Sequence, residues 1–129
     1  MAHRLRRKIY YHDTDAGGVV YYANYLKHFE EARTEFLADN GVDINMLMQK
    51  GIWFVVKGIE VNYRKPARYS DLIDISTGIT KLKHVSIDFL QEARKGDELL
   101  VSARTVLVCV DSGFRACQIP EEVEECLRK

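Results

Sequence analysis

Apolar positions along the chain follow two periods, and the change from one to the other divides it. Between residues 24 and 39 they recur at spacings of three and four. Leu26, Phe29, Ala32 or Arg33, Phe36 and Leu37 fall on one stripe, with Lys27, Glu31, Thr34, Glu35 and Ala38 mostly elsewhere. That spacing predicts a helix, with Asn24 as its N-cap and Asn40-Gly41 as its left-handed stop. At about 1.5 Å per residue the rod is roughly 24 Å long, and its stripe requires a broad cover. A short second helix is predicted over residues 43–51, capped by Asp43 and stopped by Gly51, with Met46 and Met48 as filler against the core.

From residue 52 onward the period is two. Residues 52–63 are rich in Val, Ile and aromatics, Gly58 marks a bulge or a close backbone approach, and Pro66 ends the run. Residues 71–82 alternate, with Leu72, Asp74, Ser76, Gly78 and Thr80 on one face and Ile73, Ile75, Thr77 and Ile79 on the other. A turn at Lys83-His84 leads to a strand over 85–94. Lys95-Gly96-Asp97 is a hairpin signal before 99–110, and Asp111-Ser112-Gly113 is a further turn. Pro120 opens a terminal helix over 121–127, and residues 4–11 alternate loosely as a first strand. Strand, long helix, short helix and then four strands predict an α+β fold with an antiparallel sheet rather than a βαβ alternation. Strands of ten or more residues, at about 3.3 Å each, outreach the helix, so a curved sheet can wrap it. Val106, Val108 and Val110 lie on the face opposite Leu107 and Cys109, which predicts that a second copy covers the outside of the sheet.

Composition narrows the partners. A chain of 129 residues is expected to form a single domain over 1–129. Lys plus Arg and Asp plus Glu are 19 each, and no basic block interleaved with aromatics suggests nucleic acid. The runs at Arg4, Arg6, Arg7 and Lys8 and at Glu121, Glu122, Glu124 and Glu125 read as solvated faces. Three cysteines, Cys109, Cys117 and Cys126, form no CxxC pair, which argues against a disulfide framework and against structural zinc. With no apolar signal core and no run of 18 apolar residues, the expectation is a soluble cytoplasmic protein without membrane insertion.

The candidate chemistry lies ahead of the long helix, in Asp13-Thr14-Asp15-Ala16-Gly17-Gly18. Paired glycines let the backbone turn at positive φ, and the chain is expected to run from them straight into the helix N-terminus. Free N–H groups and the positive end of the helix dipole then lie beside one or two carboxylates, an electrophile-polarising element next to a base or nucleophile. The same residues serve equally as Asx turns around a tight connection. His12 to Asp15 is a poor metal site, since no second cluster with ligand spacing occurs.

Tyr10-Tyr11, residues 13–21 (Asp-Thr-Asp-Ala-Gly-Gly-Val-Val-Tyr), Ala23-Asn24-Tyr25-Leu26, Glu30 and Ala32-Arg33-Thr34-Glu35 together form a specific pattern of about 25 residues. It resembles the hotdog-fold thioesterases of the 4-hydroxybenzoyl-CoA thioesterase superfamily, most closely their YbgC-like acyl-CoA thioesterase branch. Tyr63-Arg64-Lys65-Pro66-Ala67 and Asp71 fit the same pattern. Two positions depart from it: the branch often has His where Tyr22 stands and Glu where His12 stands. The resemblance implies a central helix inside a five-stranded antiparallel sheet, with homodimers sharing a continuous sheet and often pairing into tetramers as dimers of dimers. It also implies that Asp15 is the catalytic residue, that acyl-CoA is the substrate, and that no cofactor is needed.

A thioester suits so sparse a site, because a thiol of pKa about 8.5 leaves as thiolate with little help from a general acid. Asp15 then acts as base toward water or as nucleophile, with backbone N–H groups around Gly18, Val19 and Asn24 binding the oxyanion. Tyr21, Tyr22 and Tyr25 are candidates to line an acyl pocket. Lys65, Arg68 and Lys83 are candidates for the phosphates of coenzyme A, although each taken singly reads more readily as a surface charge. Glu30 and Arg33 stand at i,i+3 spacing for an ion pair. The rival readings are a non-catalytic acyl-CoA or protein-binding hotdog module, and a dehydratase with His12 as base. GxSxG, HExxH and P-loop motifs are absent.

Overall fold

Alternating branched and aromatic side chains build a sheet with one dry face, and that face fixes where the long helix lies. The computed structural model describes residues 3–128. In chain order it contains β1 (His3–Lys8), a 3-10 turn (Tyr11–Asp13), α1 (Asn24–Asp39), α2 (Ile44–Gln49), β2 (Trp53–Tyr63), β3 (Leu72–Leu82), β4 (Ser86–Lys95), β5 (Glu98–Val110) and α3 (Glu121–Leu127). All five strands pair antiparallel in the order β1-β3-β4-β5-β2. The register shifts between Val56 and Gly58, so the expected irregularity in β2 is present.

β2 pairs with β5 rather than with its sequence neighbour β3, so residues 64–71 must carry the chain from one edge of the sheet back to its other half. This crossing is what meets the loop ahead of α1. The Arg64 and Lys65 amides donate to the Leu100 carbonyl, the Ala67 carbonyl accepts from the Val20 amide, and the Ala67 amide donates to the Tyr25 hydroxyl at 2.9 Å.

Ile73, Ile75, Ile87, Phe89, Val101 and Ala103 bury the inner face of the sheet, with Phe29 and Ala32 of α1 against it. The helical stripe is rotated from the one the spacing predicts. Tyr25, His28, Phe29, Ala32, Arg33 and Leu37 are buried, Phe36 is half-buried, and Leu26 is exposed. Polar members of that stripe find their partners far along the chain. Gln91 of β4, wholly buried, donates to the Phe29 carbonyl (2.8 Å) and to Thr77 Oγ1 (3.1 Å), and accepts from Arg33 Nη1 (3.1 Å). Burial pulls the Arg33 guanidinium below its ordinary pKa, against the opposing charge of Glu30. No direct Glu30–Arg33 ion pair forms among the described residues, because Arg33 turns inward and Glu30 instead accepts from Thr34 Oγ1 (3.5 Å).

Helix ends follow local chemistry, with one exception. Asp43 Oδ1 caps α2 at the Met46 amide (3.1 Å), and Pro120 stands at the N-cap of α3. Asn24 is not the cap of α1. It is the first helical residue, and its side chain donates to the loop instead. Met46 and Met48 are exposed rather than core filler, since this short helix turns Leu47, with Ile44 half-buried beside it, toward the core. Gly51, at φ 77°, stops α2 where a Cβ would lie 2.8 Å from Ser112 Oγ. Gly51→Ala is expected to cost about 1–2 kcal/mol for the left-handed backbone alone, read as a lower denaturant midpoint with unchanged slope.

On the outer face Val106 and Val108 are half-buried, while Val110 is covered by the return of the chain through its bridge to Ala116. β1 and β2 are the two edges. Cys109 and Cys117 remain thiols with their sulfurs 3.6 Å apart, and burial with this neighbour pushes the Cys109 thiol up to about 12. No helix of the described residues is long and apolar enough to cross a membrane.

Candidate active site

Asp15 occupies a hairpin of its own. Its amide donates to the Val19 carbonyl (2.9 Å) and its carbonyl accepts from the Gly18 amide (3.1 Å). With Gly18 at φ 78°, this is a three-residue turn closed by a bulge that requires a left-handed residue. Asp15 Oδ1 accepts from the Gly17 amide at 2.8 Å. The carboxylate is therefore held through one oxygen, and the side chain is exposed. A Cβ on Gly17 would sit 3.2 Å from that same Oδ1, so glycine leaves the space the carboxylate occupies.

The hairpin does not run straight into the helix. Residues 19 and 20 return beside the chain, bridging Val19 to Arg68 and Val20 to Thr14, and a turn at 21–23 follows before α1 begins. Two expectations are corrected by this. The Gly18 amide is used inside the turn, and the Asn24, Tyr25 and Leu26 amides donate to the carbonyls of Tyr21, Tyr22 and Ala23, so the first turn of α1 offers them to no substrate. Among the described residues, the Val19 amide donates to no protein acceptor. It stands opposite Asp15 across the hairpin.

Asp13 is the hub beneath. Its side chain is buried, with Oδ2 accepting from the Tyr10 amide (3.0 Å) and Oδ1 3.2 Å from His28 Nε2. Its carbonyl accepts from the Tyr21 amide and from Asn24 Nδ2, both at 2.9 Å. Sequence reasoning missed His28. A stripe drawn from Tyr25 rather than Leu26 places His28 one turn on, and a polar residue there is the signal. His12 is exposed, stacks on Tyr10, and lies 3.9 Å from Asp13 Oδ1.

Of the aromatic candidates, Tyr22 and Tyr25 border a cavity of about 230 Å³ together with Tyr63, Arg64, Lys65 and Pro66. Tyr21 packs on Tyr22 (4.8 Å) and is not in the cavity wall. Tyr25 is also a structural group: burial raises its hydroxyl pKa, keeping it protonated while it accepts from the Ala67 amide. Tyr63, which fits the family pattern but was given no role there, donates to the Tyr22 carbonyl (3.1 Å) and ties the end of β2 to the loop. Lys65 sits at the cavity but is paired with Glu98 (2.6 Å), and Arg68 faces Val19 across the bridge. Lys83 is not brought to this group: it lies past the far end of β3, roughly 30 Å of strand away, and pairs with Asp88 (3.5 Å). No cluster of metal-ligating side chains occurs among the described residues.

A five-stranded antiparallel sheet with few helices is an α+β arrangement, and the solved structures it superposes on are thioesterase hotdog folds. The chain belongs to the thioesterase-like superfamily, whose sequence profile matches residues 10–127. It is 41% identical over 105 residues to the acyl-CoA thioester hydrolase YbgC of Escherichia coli O6:H1, a match covering 81% of this chain and 78% of that one. It is 38% identical over 119 residues to the acyl-CoA thioesterase YbgC of Haemophilus influenzae, covering 91% and 88%. A probable thioesterase from Bartonella henselae superposes with a TM-score of 0.88 at 32% identity, covering 93% of this chain and all of that one.

Proposed function

We propose that the chain is an acyl-CoA thioesterase that hydrolyses thioesters to the free acid and coenzyme A at the Asp15 hairpin. The reading rests on one observation: an exposed carboxylate held in a tight turn, one oxygen fixed by the Gly17 amide and the other without a hydrogen-bond partner among the described residues. In the base route, Asp15 takes a proton from water as its oxygen attacks the thioester carbonyl, and the C–S bond then breaks to release thiolate and acid. In the nucleophile route, the carboxylate oxygen displaces the thiolate to form a mixed anhydride, which water hydrolyses. Either route builds negative charge on the carbonyl oxygen, and the free Val19 amide is its donor in this reading.

The cavity bordered by Tyr22, Tyr25 and Tyr63 is read as the acyl pocket, and Lys65 and Arg68 as contacts for coenzyme A phosphates. The single domain takes the hotdog arrangement with α1 as its central helix. Its open β2 edge suits pairing with a second copy into a continuous sheet, and such homodimers suit further pairing into a tetramer. Three reduced cysteines agree with a cytoplasmic setting. Thiol release from short, long and aromatic acyl-CoA esters tests the proposal; binding of these esters without release of any thiol would replace it with a non-catalytic binding module. Gly17→Ala pushes on Asp15 Oδ1 without touching the core, so kcat is expected to fall by about ten- to a hundredfold while the melting temperature stays put.

A further inference from the structure

A buried polar contact lies below the reacting hairpin and is used by no step of the hydrolysis. Asp13 and His28 side chains are 4% and 10% exposed, and Asp13 Oδ1 is 3.2 Å from His28 Nε2. Burying a carboxylate is costly unless donors surround it. This one has two, the Tyr10 amide on Oδ2 and the imidazole on Oδ1. An apolar residue at position 28 would simply extend the stripe formed by Tyr25, Phe29 and Ala32, with no buried ring nitrogen to satisfy. The chain instead keeps a histidine whose buried Nδ1 has no hydrogen-bond partner among the described residues and lies 3.8 Å from Glu31 Oε1.

What the contact holds is the base of the hairpin. Asp13 and Tyr21 face each other through a backbone bond, Thr14 and Val20 bridge next, and Asp15 and Val19 close the tip. A tilt at the base is carried two residues on to the Asp15 carboxylate. The Asp13 carbonyl is fixed to α1 by Asn24 Nδ2, and its side chain by His28 one turn further along the same helix. Two ties to one rigid rod determine both the position and the rotation of the base.

We propose that His28 is a positioning residue for thioester hydrolysis, its Nε2–H donating to Asp13 Oδ1 and so aiming the Asp15 hairpin. The proposal rests on the thioesterase reading above. Because Oδ1 only accepts, the proton sits on Nε2, and both the neutral tautomer and the imidazolium make the same bond. The surrounding charges are His12 Nδ1, 3.9 Å from the same Oδ1, then Glu31 and Arg7, which approach each other to 3.4 Å.

The test compares His28→Met, which fills the space without a donor, with His28→Gln, whose amide reaches Asp13. Steady-state kinetics and amide hydrogen exchange over residues 10–24 are measured on both. The Met variant is expected to lose about ten- to a hundredfold in kcat with KM held within about threefold. The Tyr10 and Tyr21 amides should exchange faster in it. The Gln variant should keep kcat within about threefold of the wild type and keep the protection. Unchanged kcat and protection in the Met variant would overturn the proposal, as would equal losses in Met and Gln, the mark of a packing role. If the Met variant fails to fold, His28→Asn, too short to reach Oδ1, takes its place, and activity equal to that of Gln is then the contradicting result. Exchange does not pass through the chemistry. A wild type that hydrolyses nothing would refute the thioesterase reading and, with it, any role for His28 in hydrolysis, while faster exchange in the Met variant would still identify the anchor.

Discussion

Asp15→Asn is expected to lower kcat for acyl-CoA hydrolysis by about a hundredfold to ten-thousandfold while KM moves only a few-fold. The substitution is well suited to this structure because the amide oxygen of Asn can still accept from the Gly17 amide, as Asp15 Oδ1 does at 2.8 Å. The hairpin bonds from Asp15 to Val19 and Gly18 run through the backbone and are indifferent to the side chain. What disappears is a negative oxygen able to take a proton or attack a carbonyl, so the loss falls on the chemical step and not on binding. The melting temperature should be unchanged, since the side chain is exposed and contributes nothing to the core. A variant that lost KM and stability together would place Asp15 among the structural turn residues instead.

Phe29→Ala is expected to cost about 3–5 kcal/mol, equivalent to a fall of roughly 10–20 °C in melting temperature for a domain of this length. Phe29 is fully buried among Ile73, Ile75, Ala93, Val101 and Ala103, on residues from three strands that the sheet itself holds in register. Its own carbonyl is fixed by Gln91, so the helix cannot easily settle inward to fill the space. The missing ring leaves a cavity, and the cost includes both lost transfer energy and that void. Phe36→Ala should cost less, because Phe36 is only half-buried at the edge of the second cluster. Chemical denaturation measures both, and a loss under about 1 kcal/mol for Phe29 would mean that the site collapses around the deletion.

Local features were readable wherever neighbours in sequence decide the geometry. Gly18 and Gly51 take positive φ where turns require it, Asp43 caps α2, Pro120 opens α3, and Gly58 stands at an irregularity in β2. The carboxylate hairpin belongs with these, since its turn chemistry lies within five residues. The rest depends on partners distant in the chain. Tyr25, Arg33 and His28 belong to the buried stripe because Ala67, Gln91 and Asp13 satisfy them, and no periodicity reveals that. Leu26, apolar and correctly spaced, is left outside by the resulting rotation of α1. The pairing of β2 with β5 is likewise non-local, yet it sends residues 64–71 across the loop and brings Tyr63 and Arg68 to the site. Sequence adjacency alone puts the helix N-terminus beside Asp15, whereas the hairpin return and the turn at 21–23 separate them and leave the Val19 amide without an acceptor among the described residues.

The most direct test is single-turnover release of coenzyme A thiol, with enzyme in excess over one acyl-CoA ester, for the wild type and Asp15→Asn side by side. Rapid release by the wild type, with the folded variant binding the ester yet releasing thiol at least about a hundredfold more slowly, is the predicted result. Equal rates in the two proteins would contradict it, removing Asp15 from the reaction whatever thioester is cleaved.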